Sequence, residues 1–418
     1  VTVYHFAMTR VIHTGDTHLG YQQYHRSERR EDFLDAFRQV AEDAINDNVA
    51  AVVHAGDLFH DRQPTLPDIM GAMSVLQTLD NADIPFLAVV GNHESKRDAQ
   101  WLDLFESLGL ATRLGPEPVK LDDVAFYGLD FVARAKRDDL QYDFAPHDAE
   151  HAVLVSHGLF QPFPHGDWDA QDVLAQANVA FDAVLLGDNH KPQTKRVEEP
   201  HRAWLTYCGS TERASADERD ERGYNLVVFD DDIDIRRRGL DTREFVFVDV
   251  ELGEGEGAER VRERVGQYDL GDAVVVVSIS GEGDPIAPAT IEEFADDRGA
   301  LIARVTDHRE LTDESDVDVS FADPDEAVRE RIRDLGLSPA ARDLDETIRA
   351  SKVPDSNVAD AVEERVQEFA ADADSGAFQS AADAKGDAGG QPTSADGGGA
   401  TGESTHESDG QVTMEDYL

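Results

Sequence analysis

Five apolar runs in the first half of the chain each end in aspartate, asparagine or histidine, mostly directly after a glycine. They are Val11-Ile12-His13-Thr14-Gly15-Asp16-Thr17-His18, Val52-Val53-His54-Ala55-Gly56-Asp57-Leu58-Phe59-His60 and Leu87-Ala88-Val89-Val90-Gly91-Asn92-His93-Glu94. The last two are Val153-Leu154-Val155-Ser156-His157-Gly158 and Val184-Leu185-Leu186-Gly187-Asp188-Asn189-His190. Short apolar runs bounded by turn residues read as buried strands. Alternate residues of an extended segment share a face, so Asp16 and His18 emerge side by side. One Gly-Asp pair after a strand is ordinarily a turn or a helix cap. Five in series, all carrying oxygen or imidazole donors, describe a metal site at the carboxyl edge of a sheet.

Between these runs the apolar period becomes helical. Phe33, Phe37, Ala41, Ala44 and Ile45 form one stripe over 28–48, and Ile69, Met70, Met73, Leu76 and Leu79 form another over 68–81. A third helix is expected near 97–108, followed by a hairpin over 119–129. Strands alternating with helices imply an α/β fold with parallel strands and helical crossovers. The ligand pattern stops near 235–242. Beyond it, runs at 245–252, 273–279 and 301–305, with helix candidates at 259–265 and 290–296, describe a smaller α/β region. Three further helix candidates follow at 323–335, 341–351 and 357–369. From about 372 the chain becomes rich in Ala, Gly, Asp and Ser and reads as disordered.

Ions such as Mn²⁺ and Mg²⁺ take oxygen donors and tolerate imidazole. Two of them about 3.5–4 Å apart can clamp a phosphate and activate a water, with one carboxylate facing both. The sequence supplies Asp16, His18, Asp57 and His190 for one ion. Asp57 as the bridge, with Asn92, His157 and Asp188, serves a second. His93 and His60 remain as imidazoles beside the reacting phosphate.

These segments resemble the five motifs of the calcineurin-like metallophosphoesterases, in order. The Leu19-Gly20 after His18 and the Phe59-His60 after Asp57-Leu58 are similar to the Mre-eleven/SbcD nucleases of double-strand-break repair. The resemblance is strong over about 8–235 and rests on order and size beyond. It implies a calcineurin-like sandwich of mixed sheets flanked by helices, a small α/β cap domain that guides DNA, and a helical ATPase-binding segment. It also implies two Mn²⁺ ions per subunit, with Mg²⁺ as a substitute, bridged at Asp57. His93 would assist the transition state or the leaving group, and His60 would help place the DNA. The expected activity is 3'-5' exonuclease on double-stranded ends and endonuclease on single strands and hairpins. The partners implied are DNA ends, the SMC-like ATPase Rad-fifty held by helices within 321–371, and a second copy of the chain through helices near 66–80 and 96–108. The apolar Met70, Met73, Leu76, Trp101 and Phe105 suit that pairing. One departure stands out: the family's fifth motif is Gly-His-X-His, and here it reads Gly187-Asp188-Asn189-His190. Two alternatives therefore stay open, a tethering subunit with a weakened di-metal site and a small-molecule phosphodiesterase or phosphomonoesterase of the same fold.

The expected division is an extension at 1–7 ahead of Met8, a nuclease domain at 8–238, the cap at 239–320, the partner-binding segment at 321–371 and an acidic tail at 372–418. The chain holds 38 Lys and Arg against 87 Asp and Glu, a formal charge of −49. In ordinary cytoplasm that would repel phosphates. Spread along nearly the whole chain, it suits life in molar salt, where the screening length is about 3 Å. A solitary Cys208 excludes a disulfide framework and any multi-cysteine zinc cluster. No run of apolar residues spans a bilayer, and a cytoplasmic, nucleoid-associated protein is expected. Lys195, Arg196 and Arg26 are expected to touch phosphate. The triple arginine at 236–238 is expected at the domain junction, and His13 and His54 in the core.

Overall fold

A computed structural model describes residues 8–96 and 99–309. Its centre is two six-stranded sheets packed face to face. The first runs Ile233–Gly239, Gly223–Phe229, Thr9–Thr14, Ala51–His54, Phe86–Ala88, Thr112–Arg113. The second runs Gln193–Val197, Ala203–Tyr207, Ala183–Gly187, His151–His157, Val124–Leu129, Val119–Leu121. The central strands of both are parallel, so their carboxyl ends, where the motifs sit, come out on one edge of each sheet.

Buried strands explain the continuous apolar runs, since both faces of each central strand are covered. Val11, Val53 and Leu87 point inward to meet Phe126, Val155 and Leu185 between the sheets. Their neighbours Ile12, Val52 and Phe86 point outward against Phe37, Val40, Ala72 and Leu76 of two helices. Those helices are Ser27–Asp47, ended by Asn48 in the left-handed conformation, and Leu66–Asp80, opened by a capping box between Thr65 and Asp68. The outer face of the second sheet is covered by Tyr142, Phe144, Trp168 and Leu174.

A third sheet, Phe245–Leu252, Val274–Gly281 and Ile302–Asp307, is wholly parallel. The helices Ala258–Val265 and Pro288–Asp296 cover the face that carries Val246, Val248 and Val250. Phe245 and Phe247 alternate to the other face and pack with Tyr24 of the first motif's loop.

The strand Phe86–Ala88 ends two residues before the apolar run does. Val90 N–H there donates to the Asp130 carboxylate (2.8 Å) rather than to a neighbouring strand, and the chain turns toward the site. The following helix is Trp101–Ser107, capped by Gln100, and begins later than the expected 97. Besides the two-residue strands Thr112–Arg113, Phe160–Gln161 and Trp168–Asp169, two longer strands went unanticipated, Gln193–Val197 and Ile233–Gly239. Both longer strands are sheet edges and largely exposed, so they lack the alternation that marks a half-buried strand. The expected helices between 323 and 369, the segments 321–371 and 372–418, and the extension at 1–7 lie outside the described residues.

Candidate metal centre

The first two motif loops continue side by side after their strands end. Asp16 N–H donates to Gly56 O (3.0 Å), His18 N–H to Asp57 O (3.0 Å) and Leu19 N–H to Leu58 O (2.9 Å). The third motif joins them through His93 N–H, which donates to Asp57 Oδ1 at 3.0 Å. Asp16, His18, Asp57 and Asp188 all hold left-handed backbone, at φ 49°, 43°, 57° and 89°. Such strained conformations persist where the surroundings over-determine them and concentrate at functional sites. Gly91 is dictated by space, because a Cβ there would stand 2.0 Å from Asp57 Oδ1.

These loops bring together the residues singled out from the sequence. His18 Nε2 lies 3.0 Å from His190 Nε2 and 3.9 Å from Asp57 Oδ2. His157 Nε2 lies 2.8 Å from Asn92 Oδ1, 3.4 Å from Asp57 Oδ2 and 3.8 Å from Asp188 Oδ1. Among the described residues three groups have metal-holding geometry, Asp16–His18–His190, Asp16–Asp57–His157 and His18–His60–His93; the first two share Asp16 and carry the expected ligands. Ring tautomers are set from behind. His157 Nδ1 donates to Ala55 O (2.8 Å), and His190 Nδ1 to Glu218 Oε1 (2.7 Å), leaving each Nε2 to face the centre. His93 is oriented in the same way by His60 O, 2.8 Å from its Nδ1. His60 stacks on Tyr21, ring centroids 3.9 Å apart.

Electrostatics state what the centre requires. Asp16, His18, Asp57 and His157 are at most 1% exposed. Burial raises Asp16 to about 6 and pushes Asp188 upward. For Asp57 burial acts the same way, but His157 beside it carries the carboxyl well below its usual range. His157 is raised despite burial, chiefly by Asp57, and His190 reaches about 9 because its bond to Glu218 outweighs burial. The ion-pair partners of these carboxylates are histidines. Divalent cations meet that need better than protons, and they displace protons from imidazole and carboxyl alike. The donor set, carboxylate and amide oxygen with imidazole and no thiolate, fits two Mn²⁺ ions.

Other expectations fall elsewhere. Lys195 Nζ donates to Pro162 O (2.6 Å), and Arg196 lies over the Trp204 ring (4.9 Å) beside Asp232 (3.7 Å). Their strand runs antiparallel, so Gln193 pairs with Tyr207 near the site while Arg196 pairs with Trp204 at the far end. Neither is placed for the phosphate contact expected of it. Arg26 is exposed in a cleft with Tyr24 and Arg304. Cys208 is buried, its thiol raised by burial, and inert. His13 and His54 are buried, and burial lowers both to about 3. Sequence reasoning missed Glu218 behind His190. It also missed Glu94, a buried carboxylate that accepts from Phe59 N (2.9 Å) and Gly91 N (3.2 Å) and so ties the second and third motifs.

Residues 9–211 match the Calcineurin-like phosphoesterase family. The chain is 63% identical over 368 residues to "DNA double-strand break repair protein Mre11" of Haloferax volcanii, covering 87% of this chain and 83% of that protein. The protein of the same description from Halobacterium salinarum is 60% identical, over 86% of this chain and 94% of its own length. The chain belongs to the Mre11 family. A more distant Mre11 protein, from Methanosarcina acetivorans, is 42% identical over 85% of this chain and 60% of its own. The calcineurin-like sandwich with an added α/β domain is therefore the fold of an Mre11-family protein, and the di-metal centre lies within the matched phosphoesterase region.

Proposed function

We propose that this chain is a manganese-dependent DNA nuclease that processes double-strand breaks together with a Rad50-type ATPase. One observation carries the reading. The Asp57 carboxylate, 1% exposed, lies between the two imidazole clusters, 3.9 Å from His18 Nε2 and 3.4 Å from His157 Nε2. That position supports Asp57 as a bridging ligand, with Asp16 beside it in both clusters. One ion would be held by Asp16, His18, Asp57 and His190, the other by Asp57, Asn92, His157 and Asp188. Bound there, two Mn²⁺ ions supply positive charge for the phosphate and acidify the attacking water.

The chain's own residues do the rest. His93 gives Nδ1–H to His60 O (2.8 Å), which leaves its Nε2 free to assist the transition state or the leaving oxygen. His60, held against Tyr21, contacts the DNA beside the scissile phosphate. The 3'-5' exonuclease and hairpin or single-strand endonuclease activities belong to this reading. So do the division at 8–238 and 239–320, and the docking of the ATPase on 321–371.

Pairing of two copies is assigned to the helices Leu66–Asp80 and Trp101–Ser107. Of the apolar residues first considered for it, Leu76 and Phe105 are buried in the core and Met73 and Trp101 pack against it. The exposed candidates are Leu66, Met70, Leu104 and Leu108.

The test is cleavage of linear duplex and hairpin DNA in molar potassium chloride, with and without Mn²⁺, by wild type and His93→Ala. Cleavage that needs Mn²⁺ and disappears in the variant is expected. Hydrolysis of a small phosphate ester with no action on DNA would favour a phosphodiesterase or phosphomonoesterase instead.

A second reading, a tether with attenuated cleavage, draws on Asp188, a third carboxylate beside Asp16 and Asp57. Its own N–H donates to Asp16 Oδ1 at 3.0 Å, and burial pushes its carboxyl upward. Asp188→His distinguishes the two: a sharp gain in cleavage favours attenuation, and an unchanged rate removes it.

A further inference from the structure

Between the strands Ala203–Tyr207 and Gly223–Phe229, the segment 210–222 runs from the metal centre to the third sheet. At one end Glu218 Oε1 takes the Nδ1 proton of His190 at 2.7 Å. Its other oxygen is fixed by Ala214 N–H (3.1 Å) and by Arg222 Nη1 (3.0 Å). Arg222, 2% exposed, also donates to His190 O (3.2 Å) and Ser210 Oγ (3.0 Å). His190 is thus held at both its ring and its carbonyl by side chains of one short segment.

At the other end the next residue, Arg219, grips the third sheet. Its two terminal nitrogens reach the two oxygens of Asp249 at 2.8 and 2.7 Å, and its guanidinium lies over Phe247 (5.0 Å). Arg213 lies over Phe245 (5.1 Å) and donates to Glu218 O (3.1 Å) and Thr242 Oγ1 (3.1 Å). Residues 245, 247 and 249 alternate onto one face of their strand, and that face meets both Arg213 and Arg219. The covalent distance from the sheet's anchor at Arg219 to the histidine's anchor at Glu218 is one peptide bond.

We propose that Glu218 is a positioning residue for His190 and that Arg219 makes its placement depend on the seating of the third sheet. The centre would then be complete only when that sheet is docked. This rests on the proposed role of His190 as a metal ligand. Side chains behind a ligating histidine orient it and raise its basicity, and their loss lowers metal affinity about 10–100-fold. A short rigid element shared by two regions can transmit a shift between them.

The experiment is Mn²⁺ titration of the full chain in molar potassium chloride, followed by electron paramagnetic resonance, with metal-free thermal melting measured alongside. Glu218→Ala is expected to weaken one of the two ions about 10–100-fold and leave the other near its wild-type affinity. Glu218→Gln, which keeps an acceptor for Nδ1–H, should recover part of that loss. Arg219→Ala and Asp249→Asn remove an exposed pair, whose contribution to stability is small. They are expected to weaken the same ion about 2- to 30-fold with the metal-free melting temperature unchanged. Wild-type affinities in Arg219→Ala and Asp249→Asn would overturn the coupling. So would a Glu218→Ala protein that loses both ions equally and in step with its melting temperature. A wild-type chain that binds no Mn²⁺ would remove the metal assignment itself, a result separate from either.

Discussion

The two sheets present their halves of the centre by different means. Asp16, His18 and Asp57 stand on loops joined backbone to backbone, by the bonds from Asp16, His18 and Leu19 to Gly56, Asp57 and Leu58. His157 and His190, from the second sheet, are aimed by single hydrogen bonds at their Nδ1 atoms, to Ala55 O and to Glu218. A backbone ladder survives most side-chain changes, whereas a ring held by one carboxylate turns when that carboxylate is lost. The first half is a fixed frame. The second is adjustable at His190, and the adjustment reaches outward to the third sheet.

That contrast orders the expected effects. Asp57→Ala removes a carboxylate that lies between His18 and His157 and should abolish Mn²⁺-dependent cleavage, read on linear duplex DNA. Residual cleavage near the wild-type rate would show that the two halves do not share a bridge. His93→Ala should slow cleavage about 10²–10⁴-fold, the usual contribution of a proton donor, with Mn²⁺ affinity kept. A matching loss of affinity would make His93 part of the frame.

Gly91→Ala probes the frame from within. The added Cβ would meet Asp57 Oδ1 at 2.0 Å and Asp57 N at 2.2 Å. A destabilisation of about 1–3 kcal/mol, read by thermal melting, is expected from overpacking, together with weaker Mn²⁺ binding.

The smallest effect concerns pH. Without metal, His190 holds its proton to about 9, Asp16 to about 6, and His157 is raised well above its ordinary value. Metal binding must expel those protons, so affinity should rise as pH increases from about 6 to about 9 and proton release should accompany binding. Calorimetry in buffers of different ionisation enthalpy reads that release. In Glu218→Gln the partner that raises His190 is weakened, so the upper limb should move to lower pH. An unmoved limb would place the titration on His157 instead.

The frame was the legible part of the sequence. Buried parallel strands write themselves as apolar runs, and Asp16, His18, Asp57, Asn92, His93, His157, Asp188 and His190 follow directly at their ends. The adjusters were not legible. Glu218 sits within Asp217-Glu218-Arg219-Asp220-Glu221, on a loop without periodicity, in a chain where acidic residues are everywhere. Its value comes from a partner 28 positions away in sequence. Lys195 and Arg196 misled for the converse reason, since closeness in sequence to His190 does not survive a strand that runs back away from the edge. The apolar stripe of Leu66–Asp80 showed a helix, but which of its residues face the core depends on the sheet beneath.

The edge strand Ile233–Gly239 has a consequence of its own. Its partner Gly223–Phe229 pairs with one side, and among the described residues no strand pairs with the other. Arg236 pairs with Asp234, Arg238 with Asp47, and Arg237 turns inward to the carbonyl of Cys208. A second copy adding itself edge to edge would have to bury the charged pairs Arg236–Asp234 and Arg238–Asp47. Charged side chains along an edge strand disfavour such pairing. Arg236 and Arg238 thus guard that margin of the sheet against aggregation.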